Sequence, residues 1–247
     1  WAPAEESRGN SVSSLLFGED AGRYYTATGA TLFVERRYGL LGWRAELFGE
    51  SDRTALPRTT HAVFPREGAA TGPPPGLVAD SGTFYGARVA LEHQRGRRLA
   101  RGVVVSRLWV EAAAGDARFV NVGGMVDAIR TRGWAAGGVR VGAGQVFGEA
   151  PVQRGYFAGG ATTVRGVAPG TLFGPRFAMG RAEVGVGPAA VRLVGFGDVA
   201  WAGRRGAVGR VSAFGAGLSF AEGWLRLDVA WPTGGARTTL VGSNGLL

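Results

Sequence analysis

Val191-Arg192-Leu193-Val194-Gly195-Phe196-Gly197-Asp198-Val199-Ala200-Trp201 alternates with a period of two. Val191, Leu193, Val199 and Trp201 share one face, and Arg192, Val194, Phe196, Asp198 and Ala200 share the other. Successive side chains of a strand point to opposite faces, so the period specifies a strand and excludes a helix. The rhythm recurs along the chain. Leu225, Leu227, Val229 and Trp231 oppose Arg226 and Asp228. Tyr85, Ala87, Val89 and Leu91 oppose Arg88 and Glu92, and Val104, Leu108, Val110 and Ala112 oppose Arg107 and Glu111. Trp43, Ala45 and Leu47 oppose Arg44, Glu46 and Glu50, and Val139, Val141 and Ala143 oppose Arg140.

One face is apolar and the other charged. A soluble sandwich would bury the first and solvate the second, so alternation alone does not choose between sandwich and membrane barrel. Three features favour the barrel. The periodic runs extend over about 10–14 residues, whereas globular strands average about 5–6. Trp and Tyr sit near the ends of the apolar faces, as an interfacial girdle would. The charged face mixes aromatics with Arg and Glu, which suits a polar lumen.

The pattern predicts an all-β, antiparallel transmembrane β-barrel of about twelve strands. The strands are expected at 11–17, 22–38, 40–51, 82–94, 99–114, 117–130, 133–147, 176–187, 189–202, 210–220, 224–232 and 236–247. Every second connection is short. Two of the others, 52–81 and 148–175, are long and fall on the same side. Outer-membrane barrels have short periplasmic turns and long outer loops. The whole of 1–247 therefore reads as one barrel domain, with two long outer loops and both termini on the periplasmic side. Pro57, Pro65 and Pro73-Pro74-Pro75 mark 52–81 as a solvated loop.

Composition narrows the function classes. Gly (44) and Pro (11) exceed a fifth of the 247 residues, which opposes a helical bundle, while 45% hydrophobic content opposes disorder. The net charge is +9, and all 28 basic residues are Arg. They are scattered among Asp and Glu and form no contiguous basic face, so no nucleic-acid partner is expected. No Cys is present, which excludes disulfides, thiolate metal sites and a Cys nucleophile. The chain begins at Trp1 with no signal peptide and reads as a mature or excised piece.

The loop 148–175 contains Gly155-Tyr156-Phe157-Ala158-Gly159-Gly160-Ala161-Thr162-Thr163-Val164-Arg165-Gly166-Val167. The paired Gly159-Gly160 and the Val164-Arg165-Gly166 tripeptide resemble the lid-loop motif of the outer membrane protein 85 superfamily, the bacterial surface antigen barrels of BamA and TamA type. The following strands continue the resemblance. Glu183, in Gly-Arg-Ala-Glu-Val-Gly-Val, falls at the family's acidic strand position. Asp198 falls in its Phe-x-Asp strand, and Leu225–Pro232 resembles its Arg-Leu-Asp-x-Ala-x-Pro strand. The match covers about residues 133–247, and the first 130 residues match only in rhythm. Val167 stands where the family carries an aromatic, and the chain closes on Leu246-Leu247 where an aromatic is usual.

The resemblance implies a lid that folds into the lumen and an Arg165 that meets Glu183 and Asp198 on the wall. The residues support this independently. A buried Arg requires a carboxylate partner, and parity points Glu183 and Asp198 inward on adjacent strands. The resemblance further implies insertion of proteins into the outer membrane of a diderm bacterium, or translocation across it. The implied partners are outer-membrane lipid, an unfolded or partly folded protein substrate, upstream periplasmic domains and accessory lipoproteins. The family has sixteen strands, so the chain could be the C-terminal part of a larger barrel. The alternative is a passive outer-membrane anchor or pore for a fused periplasmic or surface domain.

No catalysis, cofactor or metal is expected. His61 lies in the Pro-rich loop and His93 on the lipid-facing parity, while Ser106 faces lipid and Ser81 lies in a loop. No nucleophile meets a base in a shared register. Two isolated His make a poor ligand set.

Overall fold

A computed structural model describes residues 25–54, 79–97, 102–221, 223–234, 238–242 and 246. Eleven of its strands form one antiparallel sheet. The first six are β1 (Tyr25–Tyr38), β2 (Leu41–Thr54), β3 (Gly82–Arg97), β4 (Gly102–Gly115), β5 (Phe119–Arg132) and β6 (Ala135–Gly148). A long loop follows. It contains a single 3-10 turn (Val152–Arg154) and a two-stranded ribbon of β7 (Tyr156–Ala158) and β8 (Leu172–Gly174). The sheet resumes with β9 (Arg176–Val186), β10 (Val191–Arg204), β11 (Ala207–Phe220), β12 (Leu225–Pro232) and β13 (Thr238–Gly242). Each sheet strand pairs with its neighbour in sequence, and β6 pairs directly with β9 across the loop.

Hairpin registers are regular, with Val191 to Arg204 facing Phe220 to Ala207 without a bulge. The two-residue turns Gly39-Leu40 and Gly133-Trp134 have φ of +56° and +59° at glycine, a conformation that side-chain-bearing residues rarely adopt. Ten expected strands lie within three residues of their observed bounds. The expected strand 11–17 and most of the 52–81 loop, with His61, lie outside the described residues. The two long connections do share one side of the sheet. The Val152 N–H donates to Asp80 Oδ2 at 2.8 Å, and Gln153 Nε2 donates to the Asp80 carbonyl at 2.9 Å.

The closing strand is described over Thr238–Gly242, β13, which pairs with Arg226–Ala230 of β12. Leu246 has left the wall. It is 3% exposed, and its N–H donates to Glu183 Oε2 on the inner face at 2.9 Å.

The parity is as the sequence predicts. Leu193 (61% exposed), Leu108 (57%), Leu227 and Trp231 face outward, while Arg192, Asp198, Arg226 and Asp228 are buried on the inner face. Trp134 and Trp224 are exposed at the short-turn side. Tyr85, Trp201 and a stacked Phe214–Trp231 pair are exposed towards the other end. So continuous an apolar exterior greatly exceeds what a soluble monomer exposes. An Arg in place of Leu108, midway along β4, is expected to cost about 2–4 kcal/mol in lipid. Denaturant titration in vesicles measures it, and a change within about 0.5 kcal/mol would mean that this face meets water.

The inner face curls around the long loop, since the loop touches both β2 and β12. Two apolar clusters form there. Phe48, Phe84, Trp109, Phe119 and Val146 pack on Tyr156 of the loop. Met179, Ala200, Ala202 and Ala213 pack on Ala158 and Val164. Close approach explains one glycine: a Cβ on Gly144 would lie 2.2 Å from the Tyr156 hydroxyl oxygen. Burial pushes the Tyr156 hydroxyl up to about 12, so it keeps its proton at neutral pH. It donates to Asn121 Oδ1 at 2.5 Å.

Candidate functional site

The tip of the loop is built by its glycines. Gly159, Gly160 and Gly166 have φ of +109°, +90° and +80°. A Cβ on Gly159 would meet the Ala168 carbonyl oxygen at 2.2 Å. The turn is closed by Gly160 N–H to the Val167 carbonyl (2.8 Å) and by Gly159 N–H to Thr163 Oγ1 (2.8 Å). The Thr163 hydroxyl donates back to the Gly159 carbonyl at 2.9 Å. Val164, wholly buried, pins the turn against the wall. The next side chain, Arg165, is thereby aimed into the inner face of β9, β10 and β12.

Arg165 is 2% exposed and fully engaged. Its Nε donates to Asp198 Oδ2 and its Nη2 to Asp198 Oδ1, both at 2.7 Å, the side-on fork for which a guanidinium is suited. Its backbone N–H adds a third bond to Asp198 Oδ2 at 3.1 Å. Nη1 reaches Glu183 Oε1 at 2.7 Å and Asp228 Oδ2 at 3.2 Å. The guanidinium carbon lies 3.6 Å from the centroid of the Phe196 ring. Burial is the largest influence on Arg165 and by itself would lower its pKa. The bonds and charges of Asp198, then the charges of Glu183 and Asp228, outweigh it, so the pKa lies above the ordinary arginine value.

Two wall arginines complete the network. Arg226 Nη1 contacts Glu183 Oε2 at 3.0 Å, and its Nη2 contacts Asp228 Oδ1 at 2.9 Å. Arg181 Nε lies 3.4 Å from Asp198 Oδ1, while its Nη1 donates to the Thr162 carbonyl of the loop at 3.1 Å. Three guanidiniums therefore face three carboxylates out of water. Removing any one member leaves a buried charge uncompensated.

With the wall and the loop placed, a resemblance in structure becomes visible. The chain is similar to CdiB from Acinetobacter baumannii. The two superpose with a TM-score of 0.57 at 14% identity, over 89% of this chain and 40% of CdiB. This likeness identifies the fold, a β-barrel wall, and this chain spans less than half the length of CdiB. No family model matches the chain, and no curated protein matches it.

The sequence brings Gly159, Gly160, Val164, Arg165, Gly166, Glu183 and Asp198 into one site, and so does the structure. It missed Asp228, Arg226 and Arg181 as members. All three have inward parity, and a search for every inward charge within three strands of Glu183 would have found them. It also missed Phe196. With Val167 at the aromatic position of the motif, the wall itself supplies the ring that Arg165 covers.

Proposed function

We propose that the chain is the wall and lid of an outer-membrane barrel that passes protein across, or into, the outer membrane. The carrying observation is the Arg165 network, which ties a 27-residue connection (149–175) into the barrel interior through a buried three-by-three ion cluster. A passive anchor gains nothing from so elaborate a closure. A translocator needs a lumen that stays shut until substrate arrives. The likeness to CdiB supports the reading at the level of fold.

On this reading the apolar exterior meets outer-membrane lipid, and the lid faces the cell exterior. The substrate is an unfolded or partly folded protein, delivered by periplasmic modules and accessory lipoproteins. The barrel performs no catalysis and carries no cofactor. The test removes residues 159–167 from the full-length protein and follows export or outer-membrane assembly in the native host. Loss of cargo transport, with the barrel still folded and inserted, supports the reading. Unchanged transport assigns the barrel to the anchor class.

A further inference from the structure

The beginning of the loop is tied down at a second place, far from Arg165. The 3-10 turn Val152–Arg154 drops from β6 and is held by Asp80 from one side. Gln153 Nε2 donates to Asp52 Oδ2 at 3.1 Å. Arg154, 7% exposed, then enters the inner face of β2, β3 and β4. Its Nη2 binds Glu50 Oε1 and lies 3.3 Å from Asp52 Oδ2, and its Nη1 lies 3.5 Å from Glu111 Oε1. Its carbonyl accepts a bond from Asn121 Nδ2 at 3.3 Å.

The wall at this place is acidic before the loop arrives. Glu46, Glu50, Asp52 and Glu111 converge there. Arg88 answers Glu50 at 2.8 Å, Glu111 at 3.5 Å and Glu46 at 3.6 Å, and Arg44 is shared between Glu46 and Glu35. Asp52 is 2% exposed, and its Oδ1 has no hydrogen-bond partner among the described residues. Clustered buried carboxylates repel one another and are strongly penalised unless a cation joins them.

We propose that Glu50, Asp52 and Glu111 form a guanidinium-binding socket on the lumenal wall, filled by Arg154, so that the loop is a brace with two arginine feet. One foot stands on β2–β4 and the other on β9–β12. From β3 to β10 is five strand spacings, roughly 24 Å along the sheet. The brace thus couples two remote parts of the wall, and either foot can lift while the other holds. The inference concerns the barrel itself and does not depend on what crosses it.

The test is limited proteolysis of the full-length protein in vesicles, with cleavage sites assigned by mass spectrometry. Cleavage tracks the open population when reclosing is fast, so Arg154→Ala should speed cutting within 149–158 by about tenfold or more. Segment 159–170 should stay protected. Arg165→Ala should give the reverse pattern. Millimolar methylguanidinium should restore protection to Arg154→Ala better than methylammonium at equal ionic strength, and Asp52→Asn in the same background should abolish that rescue. Arg154→Lys, which keeps the charge without the fork, should fall between. Cutting of 149–158 unchanged by Arg154→Ala, or equal rescue by the two cations, would overturn the socket. Heat-modifiable migration on gels verifies that each variant is folded.

Discussion

Arg165→Ala is expected to free the tip of the loop and leave the barrel standing. The substitution removes three side-chain bonds of 2.7 Å and one of 3.2 Å, and it uncovers Phe196. Among the described residues, Arg181 and Arg226 are then the guanidiniums left in contact with Glu183, Asp198 and Asp228. Breaking a buried pair by removing one partner costs about 3–5 kcal/mol, and less where water can enter the lumen. The wall hydrogen bonds are untouched, so the loss should appear as local release of the loop.

The network also predicts an order among its carboxylates. Asp198→Asn should loosen the tip nearly as much as Arg165→Ala, because Asp198 accepts both arms of the fork and the Arg165 backbone N–H. Asp228→Asn should do less, since it offers Arg165 a single contact at 3.2 Å. Arg165→Lys should behave like a partial deletion, because a point charge cannot make the side-on pair. Ion conductance of the barrel in planar bilayers reads the same order, rising as the tip lifts. Equal conductance for wild type and Arg165→Ala would mean that the loop tip does not obstruct the lumen.

The wall was legible in the sequence because period-two alternation is a local signal that lipid enforces on every strand. A one-residue slip would have placed Arg192 and Asp198 in lipid, so the register could be read from two strands. The Arg165 site was legible for a different reason. Gly159-Gly160 and Val164-Arg165-Gly166 are contiguous, and the acidic partners stand on the next two strands. What stayed hidden depends on contacts remote in sequence. Arg154 lies 104 residues from Glu50, and only curvature of the sheet brings them together. The imbalance was nonetheless present: Glu46, Glu50, Asp52 and Glu111 share inward parity with too few arginines. The last residues of the chain were not legible in the same way, because alternation specifies a strand and not where the chain leaves it. Leu246 is drawn to Glu183, an interaction that no periodicity encodes.

Locking the seam at β13 should stop transport. Among the described residues β12 and β13 pair from Arg226–Gly242 to Ala230–Thr238. Among the described residues β13 pairs with β12 alone, and β1 with β2 alone. Edges with unpaired N–H and C=O groups are templates for an incoming strand. In lipid such an edge is costly, and a barrel that only anchors or conducts has every reason to seal it. A barrel that hands segments to the membrane or lets its wall yield has reason to keep it weak. A cysteine at Val241 in β13, with a partner cysteine on the strand that faces it in the full-length protein, gives the test. Oxidation should abolish export or assembly and reduction should restore it, while a disulfide between the outward-facing Leu193 and Leu218, on the β10–β11 pairing, should change nothing. Transport that continues through a locked seam would place the route inside the closed lumen, where the two feet of the loop alone decide when it opens.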